Sequence, residues 1–131
     1  YSRRDFKKAE KYMLDALEIN KELNIKKEIF NNYNNLAGVY ANFEDYSKAL
    51  DCALMAIQQL DKDKNADLYY FEQSNIAALY IYTKNFELAY TYLNNAMQHQ
   101  LKSGFDTDLI QTYALMSKVY ENTGKPDSAR I

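Results

Sequence analysis

Few residues of this chain offer reactive chemistry, and their spacing does not assemble them. His99 is the only histidine and Cys52 the only cysteine. His99 falls on an outer helix, so a Ser-His-Asp or Cys-His arrangement has no evident assembly, and a surface histidine is expected. Cys52 falls beside a stripe of alanines and reads as a small packed residue rather than a nucleophile. A lone cysteine also excludes an internal disulfide and a Cys-rich metal site. Asp61, Asp63 and Asp67, with Asn65, resemble a calcium loop at first sight. With Asp61 as the first ligand, Glu72 stands at the closing position, but Ala66 occupies the place where the turn requires glycine. A solvated connector is the expectation. No Gly-rich phosphate loop is present. The sequence thus predicts no catalysis, no metal and no cofactor. What it offers in quantity is amides and aromatics, the groups that hold a peptide.

Composition bounds the scaffold that must position them. The chain has 131 residues, 47% of them hydrophobic and 26% charged, as a globular domain does. Its net charge is −2, which gives no basic footprint for nucleic acid. Arg3, Arg4, Lys7, Lys8 and Lys11 cluster, but Asp5 and Glu10 interrupt them, so a solvated helix face is expected. Only three glycines and one proline occur, a helix composition. No apolar run approaches the length of a membrane span, and no signal peptide is visible. The compartment is not fixed; cytoplasm and periplasm are both compatible.

Small and aromatic residues recur with a lag of 40 positions. Ala9, Ala49, Ala89 and Ala129 form one series; Phe6, Tyr46 and Phe86 another; then Ala16, Ala56 and Ala96; Leu36, Ile76 and Met116; Tyr40, Tyr80 and Tyr120. A fixed lag of 20–50 residues marks a repeat architecture. It predicts helices over 5–23, 27–42, 46–60, 66–83, 86–102 and 106–122, with another starting at Pro126. In the first, Phe6, Ala9, Met13, Ala16 and Leu17 share one face, and Asp5 reads as its N-cap. Asn24, Lys64 and Gly104 occupy one turn position, and a left-handed turn is expected at all three.

These residues resemble the tetratricopeptide repeat. The first helix of each pair reads Tyr33-x-x-Leu36-Ala37-x-x-Tyr40, then Gln73-x-x-Ile76-Ala77-x-x-Tyr80, then Tyr113-x-x-Met116-Ser117-x-x-Tyr120. The second reads Tyr46-x-x-Ala49 with Ala53 and Ala56, then Phe86-x-x-Ala89 with Leu93 and Ala96. The lag is longer than the usual 34 residues of that family by about six, similar to the long variant of kinesin light chains and bacterial peptide-sensing regulators. The family's closing proline is replaced by Asp61 and Leu101. The resemblance implies an all-α fold, an α-α superhelix of stacked antiparallel pairs. It implies a single domain: partial repeat 1–26, repeats 27–65 and 66–105, and partial repeat 106–131. A piece of a longer array is the expectation.

The resemblance also implies a concave groove lined by the first helices of the pairs. Counting away from the core stripe, its lining is Asn31, Asn34, Gly38, Ala41 and Asn42; then Phe71, Ser74, Ala78, Ile81 and Tyr82; then Gln111, Ala114, Lys118, Glu121 and Asn122. The residues expected to hold a ligand are Asn31, Asn34, Asn42, Phe71, Ser74, Tyr82, Gln111, Lys118 and Asn122. Relatives that grip a terminal carboxylate use Lys, Asn and Arg at positions matching Asn34, Gly38, Asn75, Gln111 and Leu115. Only Asn75 agrees, so a carboxylate clamp and strongly anionic ligands are not expected. The function this implies is a non-enzymatic protein- or peptide-binding scaffold, the docking or sensory part of a larger regulator. The alternative is a self-association module.

Overall fold

A computed structural model of the chain describes residues 2–104 and 106–124, Asp106 by its backbone alone. Those residues form helices and short turns, with no strand among them. The helices are α1 (Arg3–Leu23), α2 (Lys26–Asn42), α3 (Tyr46–Ile57), α4 (Ala66–Tyr82), α5 (Phe86–Ser103) and α6 (Asp106–Thr123). The expected starts of α3 to α6 coincide with those observed. The helix start expected at Pro126 lies outside the described residues, as does Ala129.

The chain divides into two compact units, Tyr1–Lys64 and Asn65–Ile131. In the first, α2 packs against both α1 and α3; in the second, α5 packs against both α4 and α6, and α4 also meets α6. Each core follows the periodic residues. Leu36, Ala37, Tyr40, Ala49, Ala53 and Ala56 are buried in the first, and Ile76, Ala77, Tyr80, Ala89, Leu93 and Ala96 in the second. Alanines stand on both sides of each pair, so the helix axes approach closely and tyrosines fill the flanks.

The contacts of α1 with α2 in the first unit have counterparts between α5 and α6 in the second. Asn20 Nδ2 donates to Asn32 Oδ1 across α1 and α2 at 2.6 Å. Two lags later, Thr112 Oγ1 donates to Gln100 Oε1 across α5 and α6 at 2.7 Å. Likewise the Tyr40 hydroxyl donates to Glu10 Oε2 at 2.7 Å, and the corresponding Tyr90 and Tyr120 rings meet edge to face at 6.3 Å. One lag from each set, Leu60 stands where Asn20 and Gln100 stand and offers no polar side chain.

Turns account for the helix ends. Asn24 adopts φ 53°, and its N–H and that of Ile25 return to Lys21 and Asn20 carbonyls, closing α1. Glu44 (φ 60°), Lys84 (φ 64°) and Gly124 (φ 66°), again one lag apart, take left-handed backbone after α2, α4 and α6. Three expectations are corrected. The N-cap of α1 is Ser2, not Asp5: Ser2 is extended, and its Oγ accepts from the Asp5 N–H at 3.2 Å and donates to Asp5 Oδ2 at 2.9 Å. The left-handed turn at Lys64 does not form, and α3 ends at Ile57 rather than Leu60. Asp61 Oδ1 accepts from the N–H groups of Asp63 (2.9 Å) and Lys64 (3.2 Å), a local alternative to continuing the helix.

Candidate binding surface

The outward stripe of each first helix can be read from exposure. On α2 it comprises Asn31, Asn35, Gly38 and Asn42, all exposed. These stand at i, i+4, i+7 and i+11, one face of an α-helix. The same positions on α4 are Phe71, Asn75 and Ala78, each half-buried, and Tyr82, 59% exposed. On α6 they are Gln111, Lys118 and Asn122, exposed, with Leu115 half-buried. In the second unit Gln111 Nε2 donates to Asn75 Oδ1 at 3.4 Å, tying α6 to α4 along this face. Asn122 Nδ2 donates back to the Lys118 carbonyl at 2.7 Å, which spends one of its two N–H groups on its own helix.

The expected lining therefore needs one correction. Ser74 is 1% exposed and faces no groove. Its Oγ lies 2.9 Å from Thr112 Oγ1, inside the packing of α4 against α6. One position is worth about 100° of helix rotation, so Asn75, its neighbour, takes the outward place. Asn34, one lag before Ser74, is half-buried, and Asn35 beside it is exposed.

Ser74, Thr112 and Gln100 form a buried polar cluster that joins three helices. Thr112 has one hydroxyl proton and three acceptors in reach, Gln100 Oε1, the Asp108 carbonyl at 3.0 Å and Ser74 Oγ at 2.9 Å. Gln100 Nε2 is buried without a hydrogen bond. With the carboxamide turned over, Nε2 donates to Thr112, Thr112 donates to Asp108, and only an acceptor is left bare. Gln73 Oε1, on the core face of α4, is buried without a hydrogen bond as well.

His99 is not the plain surface residue that the sequence suggests. Its ring stacks on Tyr70 at 4.4 Å and 19°, and Nε2 lies 2.8 Å from Asp67 Oδ1. Nothing in the spacing pointed to this pair, because α4 and α5 run antiparallel and bring the two residues together from opposite ends of the hairpin. The neighbouring hydroxyl is not held for attack: Ser103 Oγ donates to the His99 carbonyl at 3.0 Å, not to the ring. Cys52 belongs to the first unit and is half-buried. Burial, followed by the Asp51 carboxylate, pushes its thiol up to about 11. The thiol is thus protonated at neutral pH and a poor nucleophile. Asp61 spends its carboxylate on the loop N–H groups that hold it below the usual carboxylate range.

The α1 cations Arg3, Arg4, Lys7, Lys8 and Lys11 are all exposed. Lys7 pairs with Glu10 at 3.8 Å and Lys11 with Asp15 at 3.6 Å. No helix among the described residues is long and apolar enough to cross a membrane. Fold and surface together define an all-α chain with helix pairs recurring every 40 residues. No family model matches the chain, and no curated protein or solved structure matches it.

Proposed function

We propose that this chain is a non-enzymatic scaffold of tetratricopeptide type whose units each bind an extended, uncharged stretch of protein or peptide, the first on the outward face of α2 and the second on the outward faces of α4 and α6. The observation that carries the reading is the composition of that stripe. In the first unit amides (Asn31, Asn35) stand beside Gly38, and in the second amides (Asn75, Gln111) stand with Ala78 and the exposed Tyr82 ring. Amides donate and accept at once, as an extended backbone requires. The small residues let that backbone approach, and the aromatic ring takes an apolar side chain.

Gly38 supports the reading independently. It sits inside a helix, where glycine costs about 0.5–1 kcal/mol relative to alanine. A Cβ there would meet nothing within 4 Å, so the fold does not require glycine. Close approach of a ligand backbone is a reason for it.

Selection of random twelve-residue peptides displayed on phage, followed by calorimetry, tests the proposal. Peptides rich in neutral and aromatic residues are expected, with Kd near micromolar, ~−8 kcal/mol. The Asn35→Ala/Tyr82→Ala variant should weaken them tenfold or more. Peptides that bind this variant as tightly as the native chain would remove the site from these faces.

A further inference from the structure

In the second unit the outward faces of α4 and α6 are tied by a single printed bond, Gln111 Nε2 to Asn75 Oδ1 at 3.4 Å. That bond is long, and Gln111 is exposed, so water competes for it. Holding a glutamine side chain in one rotamer also costs entropy that one such bond does not offset. The spacing of the two amides must be set elsewhere.

The residues that set it lie one position away on each helix. Ser74 precedes Asn75 on α4, Thr112 follows Gln111 on α6, and their hydroxyl oxygens lie 2.9 Å apart. Each step turns the position by about 100°. The two helices therefore carry a buried rung, Ser74–Thr112, and an open rung, Asn75–Gln111. Gln100 on α5, also buried, bonds the Thr112 hydroxyl at 2.7 Å. A hydroxyl bond in a dry seam is lost when either partner moves by about 1 Å. The buried rung thus fixes the height and the rotation of α4 against α6 together, which apolar side chains would do less sharply.

We infer that Ser74, Thr112 and Gln100 are positioning residues for the peptide face of the second unit, an inference that rests on the reading that this face binds peptide. They hold Asn75 and Gln111 at the spacing that takes the backbone of one peptide residue. With Gln111 Nε2 given to Asn75 Oδ1, Asn75 Nδ2 and Gln111 Oε1 remain for the peptide. Turning both carboxamides over again leaves one donor and one acceptor. In an extended chain the N–H and C=O of one residue point to the same side. One donor beside one acceptor therefore matches one residue, and that residue is not proline, which has no N–H to give.

The Ser74→Ala/Gln100→Leu/Thr112→Val variant of the whole chain tests this. It empties the buried rung without stranding a polar group, so the native circular dichroism should persist; Ser74→Ala alone takes its place if the triple variant loses helix. The probe is the tightest phage-selected peptide whose binding shifts amides of α4 and α6. The triple variant should bind it about tenfold more weakly. Thr112→Ser, which keeps the hydroxyl, should bind within about twofold of the native chain. At one peptide residue, N-methylation should cost the native chain about tenfold and the triple variant little. The nuclear Overhauser contact between the Gln111 and Asn75 side chains should be present in the native chain and lost in the triple variant. A triple variant that folds and either keeps that contact or binds with native affinity would overturn the inference and leave the peptide face standing. Selected peptides that shift α2 alone, or nothing, would remove the second unit's face and the inference with it.

Discussion

Burial and hydrogen bonding at single residues give this chain a particular response to alkali. The Tyr40 phenol is buried and donates to Glu10 at 2.7 Å. Burial first, then that hydrogen bond, raises its pKa well above the ordinary 10.0. Burial likewise raises Tyr92 and Tyr120, and it takes Cys52 from 9.0 to about 11. In each case the folded state holds the proton more tightly than the unfolded chain. The stability this contributes is complete below the unfolded pKa and is lost as pH rises toward the folded one. Denaturant midpoints should therefore be level up to about pH 9 and fall above it, with Cys52 acting from 9.0 and the tyrosines from 10.0. Cys52→Ala should flatten the first part of that fall. Iodoacetamide should alkylate the native thiol with a midpoint near 11 and the urea-unfolded thiol near 9.0; a native midpoint near 9.0 would show that burial does not hold the proton.

Helices were the most legible level of the structure, and their faces less so. The 40-residue lag fixed the starts of α3 to α6 because alanines and aromatics must meet at one height in every pair. The early end of α3 was hidden, because Asp61 competes for backbone N–H groups only once the loop is folded. Ser74 was misplaced for a related reason. Periodicity on α4 alone cannot tell a face turned to solvent from one covered by a third helix, and α6 covers Ser74. The Asp67–His99 pair needed the hairpin itself.

Two substitutions probe packing at this level. Thr112→Val removes the hydroxyl that serves Ser74 and Gln100 in the buried cluster. It should cost ~1–3 kcal/mol, because it strands polar groups rather than deleting them. Adding Ser74→Ala and Gln100→Leu should recover much of that loss in chemical denaturation, since no polar group then remains unpaired. Gly38→Ala should act in the opposite direction, stabilising α2 by ~0.5–1 kcal/mol. The same change should weaken peptide binding. A variant that gains stability and keeps full affinity would leave the glycine without a functional reason.

At the scale of the whole molecule, two compact units share one set of contacts. Asn20–Asn32 and Gln100–Thr112 occupy corresponding places, as do Glu10–Tyr40 and Tyr90–Tyr120. Repetition of this kind was legible because it rests on residue type at fixed spacing. The division at Lys64 was less so, because residues 61–65 read only as a polar connector. Function is the least legible level. A surface that recognises backbone by amides leaves no signature as sharp as a metal ligand set. The central claim is that the outward faces of the first helices bind an extended peptide. Amide chemical-shift mapping with a phage-selected peptide tests it most directly. The account predicts shifts concentrated at Asn31, Asn35 and Gly38 on α2 and at Asn75, Tyr82 and Gln111 on α4 and α6. Shifts confined to α3 and α5 would contradict it.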